Sequence, residues 1–210
     1  LEDAKKKLLQ AHHVFESLDL QTYLAEVYLH LGRIHDSMEK DDICRDYFNK
    51  AVQILKKLGD ESSIAECYEK FGLLDLKKGK IENSIEHFLK SLEIYNKLGN
   101  KNGIANLHNH LGTAFQKKGD AAEAQRYFKE SMKIREQSQD LLGIAEINAN
   151  MASVLAHSKK FPEALELLAK ARESYQKLSN KKGLSSIKKT EALIHKLQSN
   201  NSESLQCYKE

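Results

Sequence analysis

The sequence predicts an all-α protein: an α-solenoid of antiparallel helix pairs stacked into a right-handed superhelix. Three observations predict this fold. Residues that favour helices dominate a chain of 210 residues that contains one proline. The chain repeats itself with a period of 40 residues and without gaps. Within each repeat the apolar residues follow helical spacing, and one helix pair cannot bury its apolar stripes unless a neighbouring pair stacks on it.

The period divides the chain into four full repeats and two partial units, which we expect to form a single array over residues 1–210. The full repeats are 24–63, 64–103, 104–143 and 144–183, with a half unit at 1–23 and a partial unit at 184–210. Each full repeat has room for two amphipathic helices, and the whole chain for eleven. Because the chain opens on Leu1 and both ends carry incomplete units, we expect a fragment of a larger protein.

Glycine and proline mark the predicted helix boundaries. Gly79 and Gly119 fall where the first helix of a pair ends, a place that favours a left-handed residue. Pro162 stands at the predicted first turn of a second helix, where its missing N–H costs nothing. The links between repeats are expected to contain Gly59, Gly99, Gly103, Gly143 and Gly183.

Small and large residues recur at fixed places in the two helices of each pair. The first helices carry Gly32, Gly72, Gly112, Ala152 and Ala192, and the second helices carry Phe48, Phe88, Phe128, Leu168 and Tyr208. We predict that the small residues let two backbones approach closely. The large residues then fill the space towards the neighbouring repeat.

The segment HLGTAFQKKGDAAEAQRYFKESMKI shows the complete pattern in Leu111, Gly112, Ala124, Phe128 and Ser131. This pattern resembles the tetratricopeptide repeat (TPR) family, and the resemblance extends over nearly the whole chain. The family's usual period is about 34 residues. With its longer period and its LGD and GIA links, the chain looks like the long-helix subclass found in LGN/Pins-type scaffolds. The resemblance implies a scaffold that binds peptide segments in the concave groove of the superhelix.

Helical spacing assigns one face of each first helix to packing and the opposite face to the groove. In the third repeat His108 falls on the packing face, whereas Asn106, Asn109 and His110 fall on the open face. His108 and His110 are separated by about 200° around the helix, so they cannot share a metal ion. Asparagine offers both donors and an acceptor to a peptide backbone. The predicted groove residues are Arg33, Glu66, Lys70, Asn106, Asn109, His110, Glu146 and Asn150.

No motif in the sequence indicates catalysis, and we predict neither a catalytic site nor a bound metal or cofactor. The segment GLLDLKKGK lacks the glycine spacing of a phosphate-binding loop. His12 and His13 are neighbours on a helix and are expected to point apart. Cys44 occupies a small-residue packing position, which favours a core thiol over a nucleophile. Three cysteines without paired spacing favour a reducing compartment, and we expect a cytoplasmic protein.

The charge pattern favours a protein partner over nucleic acid. The formal net charge is +3, and the lysines that recur at the turns alternate with no aromatic residues. These lysines, Lys77, Lys78, Lys117, Lys118, Lys159 and Lys160, are best interpreted as a solvated edge. No apolar run approaches membrane-spanning length. Two hypotheses follow: an adaptor that binds a peptide segment, or a regulatory sensor segment that controls another domain of a larger protein. The end helices are also available for self-association.

Overall fold

The structure, a computed structural model, describes the backbone of residues 2–207 and the side chains of residues 2–198. These residues form ten α-helices and no strand. The helices are α1 (Glu2–Ser17), α2 (Gln21–Ser37), α3 (Asp41–Leu58), α4 (Glu61–Lys77), α5 (Ile81–Leu98), α6 (Lys101–Lys118), α7 (Ala121–Gln137), α8 (Leu141–His157), α9 (Phe161–Lys177) and α10 (Lys181–Cys207). The predicted all-α fold is confirmed.

The chain divides into two compact units, residues 1–100 and 101–210. In the first unit each of α1 to α4 packs against the helix that follows it, most extensively in the pairs α2/α3 and α4/α5. In the second unit α6/α7 and α8/α9 are the corresponding pairs, and α8 also contacts α6 and α10. These four pairs begin at Gln21, Glu61, Lys101 and Leu141, so they follow one another at intervals of 40 residues.

A residue with a left-handed backbone separates consecutive helices at intervals of 20 residues. Gly79 and Gly119 take this conformation, with φ of 74° and 89°. Other residue types do so elsewhere: Asp19, Glu39, Gln139, Lys159 and Ser179. A left-handed conformation costs a non-glycine residue about 1–2 kcal/mol, so the repeat geometry imposes the turn even where no glycine favours it. Pro162 lies in the first turn of α9, as predicted.

The prediction that Gly103, Gly143 and Gly183 lie in links is wrong, because they fall in the first turns of α6, α8 and α10. Close packing explains two of them. A Cβ on Gly143 would collide with the Arg135 guanidinium, and one on Gly183 would lie 2.5 Å from the ring of Tyr175. The preceding helix therefore presses a large side chain against the backbone at these positions.

The core of each of the first three repeats is organised by a phenylalanine. Phe48, Phe88 and Phe128 are completely buried. Each ring packs on the small residue of the first helix in its own pair, so that a Cβ on Gly112 would lie 2.5 Å from the Phe128 ring. The small residues thus make room for a ring as well as for a neighbouring backbone.

The expectation of eleven helices is wrong over the described residues, because α10 continues unbroken from Lys181 to Cys207. The predicted partial unit would have turned near residue 199, between Ala192 and Ser204. No glycine or proline stands in residues 190–204, so nothing local opposes continuation of the helix. Tyr208, the predicted large residue of this unit, lies outside the described residues.

Candidate functional site

In the second unit Asn109 of α6 and Asn150 of α8 form a direct amide pair. The Nδ2 of Asn150 donates to the Oδ1 of Asn109 at 2.9 Å. Asn109 is 9% exposed and Asn150 is half-buried. This bond leaves the Nδ2 of Asn109 as a donor and the Oδ1 of Asn150 as an acceptor. The pair therefore retains the two complementary groups that a peptide unit requires.

The amide pair lines a cleft of about 250 Å³, which we call the asparagine cleft. Its walls come from α6, α8, the end of α9 and the start of α10. The lining residues are Asn109, Glu146, Ala149, Asn150, Tyr175, Asn180, Lys182, Gly183 and Ser186. The cleft therefore has a mixed polar and apolar lining, with a carboxylate and an ammonium group among its side chains.

Tyr175 contributes a protonated hydroxyl to the asparagine cleft. Its side chain is buried, and burial raises its pKa to about 12, with the Glu146 carboxylate adding to the increase. The hydroxyl makes no hydrogen bond to any of the residues that the structure describes. At neutral pH it is available as a donor or an acceptor for a bound molecule.

Asn180 fixes the start of α10 beside the cleft. Its Oδ1 accepts a hydrogen bond from the Gly183 N–H at 2.8 Å, as an N-cap residue does. Sequence reasoning did not single out Asn180, Tyr175 or Lys182 as site residues. The repeat register contained a signal for Asn180, because Asp60 and Asp140 occupy equivalent positions and also cap their helices.

The structure brings three of the predicted groove residues of this unit to the cleft, namely Asn109, Glu146 and Asn150. Asn106 is exposed and its Oδ1 accepts from Nη2 of Arg135 at 2.6 Å, which joins α6 to α7. His110 is half-buried and does not line the cleft. Helical spacing assigned all five residues to the groove face of their own helix, α6 or α8. Contact between side chains depends also on how the helices pack, and only three of the five line the cleft.

Models of the tetratricopeptide repeat match residues 25–57, 63–137 and 149–182 of the chain. The first two ranges cover complete or nearly complete helix pairs, and the third runs from the middle of α8 through α9 into the start of α10. The chain is a tetratricopeptide-repeat protein. No curated protein gave a sequence match to it.

Solved structures with a similar fold support the helical-repeat architecture of this TPR chain. RapI in its apo form matches with 19% identity and a TM-score of 0.77, over 99% of this chain and 80% of that protein. A Rap protein complexed with Competence and Sporulation Factor matches with 17% identity and a TM-score of 0.75, over 88% of this chain. Aspartyl phosphate phosphatase F from Bacillus subtilis matches with 19% identity and a TM-score of 0.74, also over 88% of this chain. The chain spans 52% and 48% of the latter two proteins, respectively.

In the first TPR unit the predicted groove residues are joined in ion pairs between α2 and α4. Arg33 holds the Glu66 carboxylate through three hydrogen bonds of 2.8 to 3.0 Å. Lys70 donates to Asp36 at 3.2 Å. Hydrogen bonding to Glu66 raises the pKa of Arg33. These partly exposed pairs link successive first helices, and a charged ligand would have to replace the existing partners.

His12, His13 and Glu16 of α1 lie closer together than their sequence positions suggested. The rings of His12 and His13 meet edge to face with centroids 5.5 Å apart, so the expectation that they point apart is wrong. One nitrogen or oxygen atom of each of the three residues lies within 4.8 Å of the others. Nε2 of His12 also contacts the Tyr28 hydroxyl at 3.0 Å, while Nδ1 of the same ring lies 3.7 Å from the Glu16 carboxylate.

His108 packs in the TPR core as predicted, and it is expected to make folding sensitive to acid. Burial lowers the pKa of this imidazole below 6.5, and its buried Nδ1 has no hydrogen-bond partner among the described residues. Glu130 opposes the shift and Arg126 adds to it. Since the unfolded chain binds the proton more readily, stability is complete above pH 6.5 and declines as the pH falls below it.

We therefore expect His108→Tyr to lose less stability than the wild-type protein between pH 7.5 and 5.5. Tyrosine occupies the equivalent position in the first two repeats, as Tyr28 and Tyr68, so the site accommodates this side chain. Urea unfolding at the two pH values, followed by circular dichroism, measures the difference. Equal losses in the two proteins would contradict the assignment.

Among the described residues, none of the helices combines the length and apolar character that a membrane crossing requires.

Proposed function

We propose that this TPR chain is a non-enzymatic interaction scaffold that binds a peptide segment of a partner protein in the asparagine cleft. The observation that carries the proposal is the Asn109–Asn150 pair, which lines the cleft and keeps one amide donor and one amide acceptor in addition to the bond between the two side chains. A peptide unit presents a carbonyl and an N–H, and an amide pair can satisfy both groups without selecting a side chain. This arrangement favours recognition of an extended backbone.

A similar structure supports a protein-type ligand. That Rap protein was solved as a complex with Competence and Sporulation Factor. That protein is similar to this chain in fold. The proposal that this chain binds a peptide rests on its own amide pair.

Burial of the thiols supports a non-enzymatic function, although one similar structure is an aspartyl phosphate phosphatase. Burial raises the pKa of Cys44 and of Cys67 to about 12. Both thiols therefore stay protonated at neutral pH and are poor nucleophiles.

Ion pairing supports a protein partner over nucleic acid. In the first unit Lys77 donates to Asp41 at 2.9 Å and Lys78 donates to Asp42 at 2.5 Å. These lysines of the predicted edge have carboxylate partners within the protein. Phosphate contacts would have to compete with those carboxylates.

Selection of random peptides against the purified chain tests the proposal. We expect the wild-type protein to enrich peptides. The Asn109→Ala/Asn150→Ala variant should bind them at least about tenfold more weakly, because the backbone C=O and N–H of the bound peptide would lose their partners. Fluorescence anisotropy with a labelled selected peptide gives the dissociation constants. The matched control is Asn83→Ala/Asn96→Ala, which removes two exposed asparagines of α5. Equal affinity of the cleft variant and the control would refute the cleft as the site.

The second candidate is a regulatory sensor segment that controls another domain of the same polypeptide. It is supported by the limited coverage of the similar structures, of which the chain spans 48% and 52% in two cases. The full-length gene product discriminates between the hypotheses. An appended enzymatic or DNA-binding domain would favour the sensor, and a protein made of repeats alone would favour the adaptor.

We also propose that the repeats belong to the LGN/Pins-type subclass, continue as one array and function in the cytoplasm. The constant period of 40 residues supports the first two statements. The free, buried Cys44 and Cys67 support a reducing compartment. Immunofluorescence of the full-length protein in its native cells checks the location, and a secreted protein would contradict it.

A further inference from the structure

Two opposite charges in the asparagine cleft have no partner among the side chains that the structure describes. The Glu146 carboxylate and the Lys182 ammonium both line it, yet neither forms an ion pair or a side-chain hydrogen bond with any described residue. Several other charges of the second unit are paired, as in Arg126–Glu123, Arg135–Asp140, Lys170–Glu166, Lys177–Glu173 and Arg172–Glu191. The cleft therefore combines two unneutralised charges of opposite sign.

Glu146 lies in surroundings that favour a cationic partner. Its side chain is half-buried on α8, and its charge acts on the buried Tyr175 hydroxyl, which itself makes no hydrogen bond among the described residues. A partly desolvated carboxylate without a counter-ion is unfavourable. A bound ammonium or guanidinium group would neutralise it and could also donate to the tyrosine oxygen.

Lys182 lies where a carboxylate is favoured. It is exposed in the first turn of α10, and the Asn180 cap on the Gly183 N–H fixes the backbone on either side of it. The N-terminus of a long helix carries a partial positive charge, which adds to that of the ammonium. An anionic group at this end of the cleft would therefore have two sources of attraction.

We propose that the segment bound in the asparagine cleft carries both charges: a lysine or arginine side chain placed on Glu146 and a carboxylate placed on Lys182. The inference rests on the proposed peptide binding and specifies its ligand. Asn109 and Asn150 hold the backbone, and the two charges select the sequence and fix the direction of the segment. A purely basic, purely acidic or uncharged segment leaves at least one charge of the cleft without a partner.

Peptide selection on charge variants tests the inference. We expect the wild-type protein to enrich peptides with one basic and one acidic residue at a constant separation. Glu146→Gln is expected to abolish the preference for the basic residue, and Lys182→Met the preference for the acidic one, each with about tenfold weaker binding of a wild-type-selected peptide. The double reversal Glu146→Lys/Lys182→Glu is expected to enrich peptides with the two charges in the opposite order.

The control is Glu173→Gln/Lys177→Met, which changes the same charges on the exposed surface of α9, where both side chains are 68% exposed. It should keep the wild-type preference. Peptides without a charge preference, whose binding still requires Asn109 and Asn150, would overturn the inference and leave the proposed function standing. If the wild-type protein enriches no peptide above a matrix without protein, both are overturned. Thermal unfolding of every variant shows that a changed preference arises in a folded protein.

Discussion

Replacement of Phe88 with alanine is expected to lower the free energy of unfolding by about 3–5 kcal/mol. Phe88 is completely buried between the two helices of its repeat, and its ring packs against Gly72. Alanine would leave a cavity next to Gly72, which has no side chain that could fill it. Urea unfolding, followed by circular dichroism at 222 nm, measures the loss.

The neighbouring Leu89 provides a matched control. It is 43% exposed on the same helix, so Leu89→Ala removes an apolar side chain without opening a cavity. We expect a loss below about 1 kcal/mol, as for most surface substitutions. Similar losses in Phe88→Ala and Leu89→Ala would show that the phenylalanine is not the centre of this core.

Removal of Arg45 is expected to destabilise the boundary between the first and second repeats by about 3 kcal/mol. The Asp75 carboxylate is only 3% exposed and is held by Nη2 of Arg45 at 2.7 Å and by Nδ1 of His87 at 2.9 Å. Arg45→Met leaves this buried carboxylate with the His87 imidazole as its only side-chain partner among the described residues. The cost arises from the partly unpaired charge that stays behind.

Lys97→Met is the control for the loss of an exposed cation. Its partner is Glu93, and the two side chains are 62% and 68% exposed. Such pairs contribute about 0–1 kcal/mol. Urea unfolding of both variants under the same conditions gives the comparison, and equal losses would show that burial of Asp75 has no energetic consequence.

The chain also offers a rescue, because other repeats fill the same positions without charge. At the boundary between the third and fourth repeats, the positions of Arg45, Asp75 and His87 are occupied by Gln125, Leu155 and Leu167. We expect the triple variant Arg45→Gln/Asp75→Leu/His87→Leu to recover most of the stability that Arg45→Met loses, since apolar side chains often replace a buried ionic cluster at no net cost. A triple variant less stable than Arg45→Met would contradict this equivalence.

The period of the sequence was sufficient to predict the helix pairs and their principal core residues. A pattern repeated every 40 residues gives each position the same angle on its helix, and burial of Phe48, Phe88 and Phe128 follows from that angle. The period did not predict Gly143 inside a helix, because the reason is a guanidinium pressed against it from another helix. Nor did it predict the continuous α10, since a turn depends on what the next segment can pack against.

For the candidate site, the sequence determined which residues share a face, and the tertiary structure decided which of them meet. Asn106 and Asn109 have the same predicted role, but Asn106 binds Arg135 whereas Asn109 binds Asn150, 41 positions along the chain. Tyr175 of α9 and Lys182 of α10 line the same cleft as Glu146. The period of the sequence does not specify how far these helices lie from Glu146. The physical reason is that helical spacing fixes only the direction of a side chain around its own helix axis. Contact between side chains also depends on the separation and tilt of neighbouring helices. The packing of large and small core residues sets that separation and tilt.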